Sequence, residues 1–266
     1  MAVPVIFSTG SLYPFGLERA YSWADEAGYD GVEIMMDDRW DTHQEEYLNL
    51  LQERHGIPIL ALHLPLHRGA WNLEPGKTLI RVASLARRVE ASVVVAHPPP
   101  PGRALEKWKN GPLREARDRG VSVAVENMPR NEARGIFAVR RPQSCHLPEH
   151  LLGLGDVTLD TSHVGASKVD LMRAYAMLAG QLRHVHLSDS DLTGGDQHRL
   201  PGKGRLPLRP FLAALANSDY PGVVSLELKP WPLGAPSPRT ILERMRDALE
   251  FTRTALADGP RTEGRT

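Results

Sequence analysis

Residues 157–187, VTLDTSHVGASKVDLMRAYAMLAGQLRHVHL, hold two short apolar runs separated by a segment of different period. Residues 157–160 and 182–187 read as strands, while 169–179 repeats its apolar residues at the three-to-four spacing of a helix. Nearly every position of the two strands is apolar or ends in a metal-capable side chain. Strands of that kind are covered on both faces, which implies parallel neighbours joined by a crossover helix.

The same unit recurs along the chain. Further strand-like runs fall at 5–8, 31–35, 57–63, 92–97, 122–127 and 222–228, eight in all with the two above. Helical spacing is found at 17–27, 45–53, 78–89, 105–119, 208–216 and 239–257. Eight alternating units predict one closed (β/α)8 TIM barrel of the α/β class, over residues 1–257, with 258–266 as a flexible charged tail. An open doubly wound sheet would carry a glycine-rich phosphate turn after its first strand, and Ser8-Thr9-Gly10-Ser11 is a poor match to one.

Composition narrows the function. Hydrophobic residues are 41% and charged residues 24% of the 266, so the chain can bury a large core and is not disordered throughout. Lys plus Arg and Asp plus Glu both number 32, and a formal net charge of zero supplies no global attraction to nucleic acid. No basic segment leading into an apolar stretch opens the chain, and no run of about 18 apolar residues occurs, so the expectation is a soluble, unexported, cytoplasmic protein without a membrane partner. Cys145 is the only cysteine, which excludes an internal disulfide and suits a reducing compartment; it reads as an inert loop thiol.

The chemistry is concentrated at strand ends. His63, His97, Glu126, Asp160, His186 and Glu227 close the third to eighth runs. Barrel strands bring their C-terminal ends to one mouth, so these six residues are expected to converge. His163, three residues beyond Asp160, and the Asp196-x-His198 pair follow closely. Singly, each is more often a hydrogen-bonded structural group than a ligand. Together they crowd carboxylates into one mouth, where mutual repulsion and desolvation penalise them unless a cation is present. Carboxylate with imidazole suits zinc, manganese, iron or cobalt better than calcium, and the lack of thiolates disfavours a structural zinc cluster.

Several secondary features carry both a bland and a functional reading. Glu33 reaches either the mouth or a partner on a neighbouring strand, His184 lies one layer below His186 as core or support, and His67 falls in the loop after His63. Trp40, Trp71, Trp108 and Trp231 follow strands and form either aromatic walls of the mouth or loop packing, whereas Trp23 reads as core. The loop His198-Arg199-Leu200-Pro201-Gly202-Lys203-Gly204-Arg205 offers amides and cations to a phosphate or carboxylate, or only a turn.

The strings VENMP, LDTSH, HVHLSD, DQHRLPGKG and LELKP, with STGSLYP and AGYDGVEI before them, resemble the xylose isomerase-like superfamily, nearly end to end. Sugar isomerases and epimerases stand there beside endonuclease IV. In the epimerase branch, the resemblance implies one divalent metal on Glu126, Asp160, His186 and Glu227. In endonuclease IV the same four positions and five more, matching His63, His97, His163, Asp196 and His198, hold three zinc ions.

The resemblance thus implies a cofactor of manganese, zinc, cobalt or magnesium, one to three ions per chain, and a sugar, sugar phosphate or polyol as partner. Glu126 and Glu227 are the expected acid/base pair of an isomerase or epimerase passing through a metal-stabilised enediolate, with His163 assisting at the substrate oxygen. His63, His97, Trp71, Lys203 and Trp231 are the expected substrate contacts. A dehydratase would begin with the same proton abstraction. The alternatives are an endonuclease IV-like phosphodiesterase on abasic DNA and, last, a noncatalytic sugar-binding protein. A homo-oligomer is left open.

Overall fold

The computed structural model describes residues 2–65, 70–130 and 145–258. Its eight strands close into a barrel in chain order, every neighbouring pair parallel. They are β1 (Val5–Ser8), β2 (Val32–Met35), β3 (Ile59–His63), β4 (Val93–Ala96), β5 (Ser122–Glu126), β6 (Val157–Asp160), β7 (Leu182–Leu187) and β8 (Val223–Leu226). This is the (β/α)8 architecture expected from the alternation of periods, and each strand falls within its predicted run.

The helices of the outer ring are α1 (Leu17–Ala27), α2 (Glu45–His55), α3 (Pro75–Arg88), α4 (Arg103–Trp108), α5 (Arg114–Arg117), α6 (Thr161–Ala166), α7 (Leu171–Leu178), α8 (Leu208–Ala216), α9 (Pro230–Leu233) and α10 (Pro238–Ala257). The apolar spacing predicts one helix over 105–119, and α4 and α5 do run on into each other through Lys109–Leu113, a widened π turn that holds Gly111 and Pro112. Proline removes a backbone donor and crowds the preceding turn, and the helix widens there instead of ending.

Two apolar clusters hold the barrel. The larger lies between the strands and the helix ring and includes Phe7, Ile34, Leu62, Val94, Val185 and Phe211. The smaller is Ile6, Ala61, Val93, Ala124 and Val223, inside the barrel toward the N-terminal ends of the strands. Successive inward residues lie two apart, so Ala61 is followed by His63 and Ala124 by Glu126 on the same face, one layer nearer the mouth. The interior is therefore apolar below and charged above. Among the described residues no helix is long and apolar enough to cross a membrane. His67 and residues 259–266 lie outside the described residues.

Candidate active site

Glu126 is the hub of the mouth. It ends β5, is 1% exposed, and has four imidazoles against it: His97 Nε2 at 2.8 Å, His186 Nδ1 at 3.0 Å, and His63 Nε2 and His163 Nδ1 both at 3.4 Å. Burial alone would raise its carboxyl, but His186 and His97 outweigh burial and hold it well below the usual range. His63 is fixed from its other side by Leu64 O, 2.6 Å from Nδ1. His97 is 24% exposed, so it connects Glu126 with the solvent side of the mouth.

Asp160 ends β6 and caps α6. One oxygen accepts from the backbone N–H of His163 at 2.8 Å, which satisfies a donor of the first helical turn. The other, Oδ2, is buried and has no hydrogen-bond partner. Burial pushes this carboxyl up to about 6 against the pull of His163 and His198. Asn127, which the sequence reading passed over, locks the end of β5 to Asp160: Oδ1 accepts from the Asp160 N–H at 2.7 Å and Nδ2 donates to the Asp160 carbonyl at 3.1 Å.

His186 stands between the carboxylates, with Nδ1 3.0 Å from Glu126, 3.2 Å from Glu227 and 3.8 Å from Asp160. Burial would lower its pKa, yet the Glu227, Glu33 and Glu126 carboxylates hold it well above the usual histidine range. Single donor atoms of Glu126, Asp160, His186 and Glu227 all lie within 4.8 Å of one another, close enough to hold one ion. An oxygen-and-imidazole donor set with an orphaned carboxylate oxygen fits a divalent cation. In such a group the cation would take over the charge balance that protonated imidazoles otherwise supply.

A second group, Asp160, His163 and His198, also meets within 4.8 Å. His163 Nδ1 is 2.8 Å from Asn127 O, and its Nε2 is 3.8 Å from Asp196. His198 Nε2 lies 2.8 Å from Asp196, and its pKa is raised to about 10, burial being outweighed by Asp160, Glu227 and Asp196. Lys229, also unnoticed in the sequence, donates to the Asp196 carbonyl and stands 3.8 Å from its carboxylate. All nine strand-end and loop positions are thus gathered around one mouth.

Beside them is a cavity of about 410 Å³ whose wall combines the polar Glu227, His198, Asp196 and Lys229 with Tyr13, Met35, Met36, Pro65 and Leu228. The expected tryptophans are not part of that wall. Trp71 packs under the Arg81 guanidinium, 4.4 Å from its ring, and against His43, while Trp231 is 69% exposed on α9 beside the lining residue Pro230. Trp23 is core, as its place inside α1 implies. No periodic signal distinguishes the methionines and Tyr13 that form the wall from ordinary core residues.

Lys203 is also elsewhere. It lines a separate cavity of about 630 Å³ against Arg209, Asp247 and Phe251, between α8 and α10. The amides of its loop are not free for a phosphate either. The Asp189 carboxylate accepts from Gly202 N at 3.0 Å, Gly204 N at 2.9 Å, Leu206 N at 3.1 Å and Ser190 N at 2.8 Å. A Cβ on residue 204 would collide with that carboxylate, which accounts for Gly204.

A parallel eight-stranded barrel with carboxylates and imidazoles gathered at the C-terminal mouth defines a (β/α)8 protein with a candidate metal centre. The chain belongs to the xylose isomerase-like TIM barrel family, whose sequence profile matches residues 21–254. It is 29% identical over 283 residues to an uncharacterized protein of Mycobacterium leprae (strain TN), covering 96% of this chain and 98% of the relative. It is 26% identical over 275 residues to the fructoselysine 3-epimerase of Escherichia coli O157:H7, covering 88% and 94%. Among solved structures, an L-ribulose 3-epimerase superposes with a TM-score of 0.71 at 17% identity, covering 100% of this chain and 99% of that one.

Proposed function

We propose that this chain is a divalent-metal-dependent isomerase or epimerase acting on an unphosphorylated sugar or related polyol. The convergence of Glu126, Asp160, His186 and Glu227 beside a half-apolar cavity carries the proposal. The fructoselysine 3-epimerase relative supports the same class. The four residues would hold the cation, which when bound supplies a Lewis-acid charge for adjacent carbonyl and hydroxyl oxygens of the substrate.

The remaining chemistry belongs to the side chains. Glu227, 15% exposed and on the cavity wall, takes the proton from the carbon next to the carbonyl, and the C–H electron pair moves into the enediolate. His97, 2.8 Å from the Glu126 carboxylate and partly exposed, passes it a proton from the solvent side, and the carboxyl so protonated delivers that proton to the opposite face or to the neighbouring carbon. His163 donates a hydrogen bond toward the substrate oxygen. Met35, Met36 and Tyr13 receive the apolar face of the sugar and exclude water.

Two observations argue for an unphosphorylated substrate. Among the described residues of the wall, Lys229 and His198 supply the positive charge and both are already engaged by Asp196, while Asp37 and Asp38 add negative charge to the same wall. The amides after Gly202 are filled by Asp189. The same features weigh against the endonuclease IV-like reading, which the Asp160, His163 and His198 group otherwise favours, because grip on DNA comes largely from cations that neutralise phosphates.

The test is to incubate the manganese-loaded protein with a panel of ketoses in deuterated water. Solvent deuterium at the carbon next to the carbonyl is the expected result. Its absence across the panel, together with chelator-sensitive cleavage of an abasic duplex, would replace this reading with the phosphodiesterase.

A further inference from the structure

The two ring nitrogens of His186 face two separate carboxylate environments. Nδ1 faces Glu126, Asp160 and Glu227. Nε2 faces Glu33 alone, with both oxygens at 3.1 Å. Glu33 is fully buried on β2 and reaches across the barrel interior to β7, where it also lies 2.8 Å from His184 Nε2. The His186 ring is further confined by His63, stacked at 5.4 Å, and by His184, edge-on at 4.7 Å.

A neutral imidazole carries its proton on one nitrogen and can ligate a metal only through the other. Nδ1 is the nitrogen directed at Glu126, Asp160 and Glu227, so a cation held by that group would take the Nδ1 lone pair, and the remaining ring proton then sits on Nε2, 3.1 Å from both Glu33 oxygens. We infer that Glu33 is the positioning residue of the metal centre: it fixes His186 in the Nε2–H tautomer and makes it an Nδ1 ligand. The inference rests on the reading of that group as the metal site.

Glu33, His184 and His186 also approach closely enough to hold an ion of their own. His186 would then bridge two cations and would have to lose both ring protons. The carboxylate as hydrogen-bond acceptor requires only the ordinary neutral ring, and carboxylate support of this kind sets both the tautomer and the basicity of a ligating histidine.

The experiment compares Glu33→Gln with the unaltered chain by calorimetric titration with Mn²⁺ and by melting in the metal-free state. The glutamine amide can turn its NH₂ toward Nε2 and so favour the wrong tautomer. A loss of Mn²⁺ affinity of about 10–100-fold with unchanged stoichiometry and a near-unchanged metal-free melting temperature is expected. Equal affinity in the two proteins would overturn the inference and leave the metal site standing. A second ion that disappears in Glu33→Gln while the first keeps its affinity would overturn it by making Glu33 a ligand. Failure of the unaltered chain to take up Mn²⁺ or Zn²⁺ would instead remove the metal site itself. If Glu33→Gln does not fold, nitrogen-15 histidine spectra of the unaltered, zinc-loaded chain decide: a proton on Nε2 of His186 is expected, and a proton on Nδ1 would overturn the inference.

Discussion

Two buried carboxylates at the same end of the barrel live in opposite conditions. Asp189 accepts from four backbone N–H groups of its own loop and has its capacity filled. Asp160 has one oxygen on a helix N-terminus and the other orphaned among Glu126, Glu227 and His186. A carboxylate satisfied by backbone amides is part of the scaffold, because its charge is already solvated by the protein. One left partly unsatisfied beside others of its kind stores unfavourable energy that a cation can release. In sequence both are simply an aspartate near a strand end, and only the surrounding donors separate them.

The comparison is tested most strongly at the mouth. Glu227→Gln is expected to reduce the rate of deuterium incorporation by about 10²–10⁴-fold, the range for loss of a general acid or base. The metal-free melting temperature should stay near level, because relief of the like charge beside Glu126 and Asp160 is offset by the lost pairing with His186. A variant that lost activity only through lower stability would erase the distinction between the two settings.

At the other setting the sign reverses. Asp189→Ala leaves buried amides of residues 202–206 without an acceptor and is expected to destabilise the protein by about 3–5 kcal/mol, read from denaturant unfolding with or without metal. A change within experimental error would mean that water replaces the carboxylate, and the loop would not be the scaffold described here.

Metal removal comes next in size. A cation at 100 times its dissociation constant stabilises the fold by about 2.7 kcal/mol, so chelation should lower the melting temperature and Mn²⁺ should restore it. The same increment is expected in Asp189→Ala, because Glu126, Asp160, His186 and Glu227 all lie at the ends of β5 to β8 rather than on the loop Asp189 holds. A smaller increment would mean that Asp196 and His198, carried on that loop, contribute ligands.

The barrel was legible because period and composition are local: strands covered on both faces must be apolar at nearly every position, and the chain repeats that pattern eight times. The convergence of Glu126, Asp160, His186 and Glu227 followed from topology alone, since parallel strands share one mouth. What escaped depends on contacts across the barrel or on occupied partners. The π turn at Gly111-Pro112 was hidden under a continuous apolar face, and the Glu33–His186 pairing spans the interior between β2 and β7. The Gly202–Arg205 loop looked like an anion site because no sequence pattern reports that Asp189 already fills its amides. Trp71 and Trp231 were expected at the mouth from their places after strands; position in the chain does not report that the Arg81 guanidinium covers Trp71 or that Trp231 stands exposed.

The smallest expected effect carries the comparison to a neutral group. Cys145 is buried, and its thiol donates to the Pro99 carbonyl at 3.6 Å. Burial pushes the thiol up to about 11, because the thiolate would lose its hydration there. With the pKa above ambient pH, the reactive thiolate is a small minority at pH 8, and it grows about tenfold with each unit of pH while pH stays below the pKa. Iodoacetamide labelling followed by mass spectrometry should therefore be slow at pH 8 in the native protein, accelerate with pH at that slope, and reach the rate of a free cysteine only after denaturation. Rapid native labelling at pH 8 would mean that the thiol is neither buried nor held by Pro99. Satisfaction by the scaffold would then be no guide to inertness on this side of the barrel, and the contrast between Asp189 and Asp160 would have to rest on measured metal affinity alone.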